Sequence, residues 1–117
     1  MRLRLPPAPP LNNAFFNVHG RGRTKSARYR RWLAAADAYY VLQKLGAAGK
    51  IEVPFQCRMT FPPLAGDIDG RAKLILDWLV SRNLTIDDRH CKKLTLVKDD
   101  TRNKLDMVDI EVAPYAP

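Results

Sequence analysis

Five carboxylates and a lysine fall within the 23 residues from Gly66 to Asp88, GDIDGRAKLILDWLVSRNLTIDD. Carboxylates held close together repel unless protons or a metal offset the charge, and a hard divalent cation with oxygen ligands is their usual partner. Mg²⁺ fits that donor type best. If Asp67-Ile68-Asp69 is extended, alternation puts both acids on one side and turns Ile68 towards a core. Plain structural roles stand beside this chemistry. Asp69 can be a helix cap, Asp69, Lys73 and Asp77 a solvated ion-pair face, and Asp87-Asp88 a turn.

These residues need a helix and a return strand to position them. Asp69 is expected to N-cap a helix running to about Arg82, with Ala72, Ile75, Leu76 and Leu79 at the spacing of a buried stripe. On a second face Asp69, Lys73 and Asp77 follow one another at single-turn intervals. Asn83 suits the helix end. A short link then leads to Asp87-Asp88 and is expected to bring one of the pair back to Asp67 and Asp69.

The flanking sequence reads as a small mixed fold. Arg2 to Leu5 is expected to be a strand with Leu3 and Leu5 inward, ended by Pro6, Pro7, Pro9 and Pro10. After Asn12-Asn13 and Phe15-Phe16, the Gly-interrupted basic run from Asn17 to Lys25 predicts a flexible loop. Ser26 is placed to cap a helix to about Leu45, with Tyr29, Trp32, Leu33, Ala36, Tyr40 and Leu45 inward, closed by Gly46 and Gly49. Ile51 to Phe61 alternates without a break and predicts the longest strand, although Pro54 argues against a fully central one. Cys91 to Lys98 and Leu105 to Val112 are two further strands, expected to form a hairpin across the loop Lys98–Asn103, and Pro114 to Pro117 is expected to fray. The order is β-α-β-α-β-β, an α/β (α+β) fold in one domain spanning 1–117, with a mixed sheet packed against two helices.

Charge narrows the partners. A formal charge of +8 and a pI near 9.9 favour a polyanion, because Lys and Arg release counterions from phosphates. Nucleic acid leads and an anionic membrane follows. No apolar run approaches the ~20 residues needed to span a bilayer, and MRLRLPPAPP has no signal-like apolar core, so a cytoplasmic protein is expected. Cys57 and Cys91 are too few for a disulfide scaffold, and His19 and His90 form no zinc pattern with them. Both thiols are expected to be packing residues.

Asp67-x-Asp69, Lys73 four residues on, Asp77, and the Asp87-Asp88 pair after the helix resemble the RusA family of Holliday junction resolvases. The first strand, the Pro9-Pro10-x-Asn12-Asn13 element and the aromatic pair before a basic loop are similar to the start of that family. The resemblance covers nearly the whole chain and implies a homodimeric endonuclease that cuts four-way DNA junctions with Mg²⁺, Mn²⁺ being able to substitute. It implies Asp67, Asp69 and Asp88 as catalytic metal ligands and Lys73 as the essential lysine. One position departs: Gly70 stands where the family usually has Asn. The DNA-binding residues are expected among Asn12, Asn13, Arg21, Arg23, Lys25, Arg28 and Arg71, which can hold phosphates or sugars; for the asparagines, fixing a turn is the plainer role. On DNA the protein would be nucleoid-associated.

Two other functions stay open on the residues alone. One is a non-catalytic nucleic-acid-binding module whose acids only cap and pair. The other is a metal nuclease acting on other branched or single-stranded DNA. Apolar side chains off the main core stripes, such as Phe15, Phe16 and Trp78, are compatible either with a subunit interface or with burial inside the domain.

Overall fold

The computed structural model describes residues 1–18, 22–43 and 49–117. Alternating apolar residues build its main sheet. Strand β1 (Arg2–Leu5), β4 (Phe55–Phe61), β5 (Cys91–Lys98) and β6 (Val108–Pro114) lie in the order β1-β6-β4-β5. The β1–β6 and β6–β4 pairs are antiparallel and β4–β5 is parallel, so the sheet is mixed. Leu3 and Leu5, Phe55, Cys57, Met59 and Phe61, and Val108, Ile110 and Val112 are all buried. Burying each of the larger ones contributes about 1.5–3 kcal/mol. Their alternates face outward, where Arg2 and Arg4 pair with Glu111 and Asp109 across the β1–β6 ladder.

Two helices share the core made by the inward residues. Helix α1 (Ala27–Leu42) buries Tyr29, Trp32 and Ala36, and α2 (Asp69–Ser81) buries Ala72, Leu74, Ile75, Leu76, Trp78 and Leu79. The Ser26 hydroxyl accepts from the Tyr29 amide at 3.1 Å, the expected cap of α1. Leu33 and Tyr40 are partly buried against the core; Leu45 and Gly46 lie outside the described residues. Gln43 ends the helix, well before Gly49, and its side-chain amide pairs with the backbone of Arg4 on β1.

Several expectations change. The basic run is a two-stranded hairpin, β2 (Phe15–Val18) with β3 (Gly22–Lys25), rather than a loop; His19, Gly20 and Arg21 lie outside the described residues. The long strand begins at Phe55, not Ile51, because Pro54 has no N–H to give a ladder. Ile51 instead makes one parallel bridge with Thr85. The last two strands are not a hairpin: β5 pairs with β4 and β6 inserts between β4 and β1. β6 starts three residues later than expected, at Val108, and takes in Pro114. The tail is held further by the Tyr115 amide on the Pro54 carbonyl at 2.9 Å. No helix of the described residues is long and apolar enough to cross a membrane.

Candidate active site

Helix α2 carries the site. Because β4 and β5 are parallel, the chain between them must cross back over the sheet, and α2 is that crossover. Gly66, at φ 79°, turns the chain into Asp67, a conformation that suits glycine. The Lys98 ammonium, at the end of β5, donates to the Gly66 carbonyl at 3.1 Å and ties this turn to the sheet. Ile68 is partly buried against the core while Asp67 and Asp69 are exposed, as the side-chain reading expects.

The local backbone differs from the expectation in one respect. Asp67-Ile68-Asp69 is not an extended run: Ile68 is already near-helical (φ −89°, ψ −19°) and occupies the cap position, with no side-chain capping bond. Asp69 is the first helical residue. Its carboxylate favours the positive end of the helix dipole without being spent on a cap.

One turn on, the Lys73 ammonium lies 3.9 Å from Asp77 Oδ1 and 3.8 Å from Asp88 Oδ2. The second contact is made across the fold, by a 3-10 turn (Asp88–His90) that packs on α2 immediately before β5. Asp87 instead caps that turn, accepting from the Arg89 amide at 3.2 Å. This backbone bond, and then a hydrogen bond with Asp88, hold the Asp87 pKa below the usual carboxylate range. Asp77 is shifted up: burial raises it, Lys73 pulls it down, and the Asp88 charge raises it again. Burial and then the Asp77 charge likewise raise the Tyr29 phenol. Ion pairs this long and this exposed contribute little to stability.

The other carboxylates face a different neighbourhood. Asp67 and Asp69 line an open depression of about 530 Å³ together with Asn12, Asn13, Arg28 and Arg71. Asn12 and Asn13 sit in a short 3-10 turn (Leu11–Asn13) that packs on the start of α2. Gly70 makes that approach possible: a Cβ there would stand 2.9 Å from Leu11 Cβ. Arg71 is only 7% exposed, and its guanidinium donates to the carbonyls of Ala8 (2.6 Å) and Ala65 (3.4 Å). It thereby joins the two backbone segments that lead to Asn12 and Asp67. Burial, and then the nearby Arg28 guanidinium, hold its pKa below the ordinary arginine value.

Asp67, Asp69 and Asp88 are hard oxygen donors of the kind Mg²⁺ or Mn²⁺ takes, and the donor set fits such an ion in chemistry. It is not closed in this arrangement: among the described residues no three acidic, His or Cys side chains converge as a metal group. Of the expected DNA-binding residues, Arg23 and Lys25 are on strand β3, where Arg23 lies over the Phe15 ring, 4.3 Å from its centroid, and Arg28 is in the exposed first turn of α1. Arg21 lies outside the described residues. Trp78, open on the sequence between a subunit interface and the domain's own core, is 1% exposed and donates from its indole to Asp37 at 3.0 Å. Phe15 is half-buried against Tyr29, and Phe16 is 49% exposed.

Sequence reasoning missed Lys98 and gave Asp77 no role beyond the helix stripe. Lys98 reaches Gly66 only because the parallel register sets it beside Phe61, which no spacing in the chain announces. The chain matches no protein-family model and no curated protein.

Proposed function

We propose that this protein is a Mg²⁺-dependent, structure-selective endodeoxyribonuclease that resolves four-way DNA (Holliday) junctions by paired symmetric nicks, in DNA recombination and repair. It would act as a cytoplasmic homodimer on nucleoid DNA. The observation that carries this reading is the placing of Asp88 at Lys73, one turn along α2 from Asp69, by a turn distant in sequence. Residues that only capped and paired locally would have no need of that long-range meeting.

Asp67, Asp69 and Asp88 would hold the metal, which supplies a polarised phosphate and an oriented water when bound. Lys73 serves the reaction from beside them. Its exposed ammonium is suited to the charge that builds on phosphate oxygens in the transition state or on the leaving oxygen. The same ammonium can instead hold the attacking water. Arg23, Lys25 and Arg28 would secure the DNA backbone, and a bound metal would offset the repulsion between Asp67, Asp69 and Asp88 and the phosphate that is cut.

One observation favours a second reading. Lys73 pairs with Asp77 one turn along α2 at 3.9 Å and Asp87 caps the turn before β5, the local pairing and capping expected of a nucleic-acid-binding module without catalysis. Incubating the protein with a synthetic four-way junction and with linear duplex of the same sequence, with and without Mg²⁺, separates the two. The nuclease reading expects Mg²⁺-dependent cutting of the junction alone; the binding module expects a complex and no cutting. Cutting of flaps or single strands in preference to the junction would leave a metal nuclease of other specificity.

A further inference from the structure

We propose that the depression between the Leu11–Asn13 turn and the start of α2 seats one backbone phosphate of the bound strand. Arg28 and the side-chain amides of Asn12 and Asn13 would be its contacts, with Arg71 the fixed positive charge behind them. The inference rests on the nucleic-acid reading of this surface and not on cutting.

Three observations carry it. Arg28 and Arg71 line the same depression, and neither has a carboxylate within 4.0 Å among the described residues. Arg71 is 7% exposed, its two bonds go to neutral carbonyls, and its buried Nε has no hydrogen-bond partner among the described residues. A buried cation without a counter-charge is costly to the fold, and an anion in the depression offsets that cost. Finally, Gly70 lets the Leu11 turn close onto the helix, which puts two side-chain amides at the rim. Guanidinium and amide donors together are the usual grip on phosphate oxygens. Asp67 and Asp69 line the same depression and oppose an anion, so its hold depends on Arg28 and Arg71.

The test is binding, measured in EDTA so that no metal enters. A four-way junction carrying one uncharged methylphosphonate linkage, moved stepwise along a strand, is titrated by fluorescence anisotropy against the wild type and Arg28→Gln. Arg28 is exposed, so the variant keeps the fold. At one linkage, neutralisation should weaken wild-type binding about tenfold and Arg28→Gln binding hardly at all. The variant should also lose about 0.9 from the slope of log K against log salt. Equal penalties in both proteins at every linkage would overturn the subsite. Cutting is scored separately in Mg²⁺: coupling without cutting upholds the subsite and defeats the nuclease reading, and cutting without coupling defeats the subsite alone.

Discussion

At the scale of single residues, the chemistry separates into groups that titrate and groups that are held. Lys73 is the group expected to act on the transition state. Lys73→Ala should lower the single-turnover cutting rate by about 10²-fold or more with little change in junction affinity; equal loss of both would make Lys73 a phosphate anchor. Loose contacts of 3.8 and 3.9 Å mean that its removal should leave thermal stability almost unchanged. Cys57 is a different case. Burial first, and then Cys91, push its thiol from the ordinary 9.0 up to about 12. With a folded pKa above the unfolded one, its contribution to stability is intact below pH 9.0 and lost as pH rises towards 12. In the native protein at pH 8 a thiol-specific disulfide reagent should therefore modify Cys91 and spare Cys57, and both should react in denaturant. Fast labelling of Cys57 in the folded state would mean that β4 opens far more readily than its burial implies.

At the scale of elements, α2 was the most legible part of the chain. Its stripe of Ala72, Ile75, Leu76 and Leu79 is buried as the spacing predicts, because apolar periodicity is a direct consequence of packing on one face. The C-terminus is also readable. Asn83 takes φ 60°, while its amide bonds the Val80 carbonyl and the Leu84 amide bonds the Leu79 carbonyl. Asn83→Ala should cost about 1 kcal/mol in denaturant unfolding and Asn83→Gly almost nothing. What periodicity does not carry is which strands become neighbours. The pattern of Cys91 to Lys98 identifies a strand, but its parallel place beside β4 follows from the α2 crossover, so a local hairpin with β6 was the wrong inference. The hairpin over Phe15–Lys25 stayed hidden because basic side chains and glycines mask any alternation. The site was legible only in part: Asp69, Lys73 and Asp77 follow from helical spacing, whereas the return expected to carry Asp87 or Asp88 to Asp67 and Asp69 carries Asp88 to Lys73, and among the described residues the three acids do not meet. The close approach at Gly70 is a tertiary fact. Gly70→Ala should destabilise the protein by about 1–3 kcal/mol, since the new Cβ meets Leu11 at 2.9 Å and the turn carrying Asn12 and Asn13 must yield. An unchanged midpoint would mean that this turn is already mobile on the helix.

At the scale of the whole molecule, the chain carries a formal charge of +8. On the proposed function one set of Asp67, Asp69, Asp88 and Lys73 would make one cut, whereas separating a four-way junction into two duplexes takes two cuts at symmetric positions. A two-fold dimer supplies both. Of the three apolar side chains the sequence offered for an interface, Trp78 lies inside the fold and Phe15 is half-buried, while Phe16 is exposed together with others such as Leu94 and Val80. Sedimentation at micromolar concentration should show a dimer; a monomer that released doubly nicked junctions in one binding event would refute the symmetry argument. The most direct measurement of the central claim is single-turnover cleavage of a synthetic four-way junction in Mg²⁺, resolved strand by strand, for the wild type beside Asp69→Asn. The predicted result is symmetric nicks in two strands of like polarity by the wild type, with the variant binding as tightly and cutting nothing. A wild-type protein that binds the junction yet leaves every strand whole in Mg²⁺ and in Mn²⁺, or an Asp69→Asn variant that cuts at the wild-type rate, would contradict it.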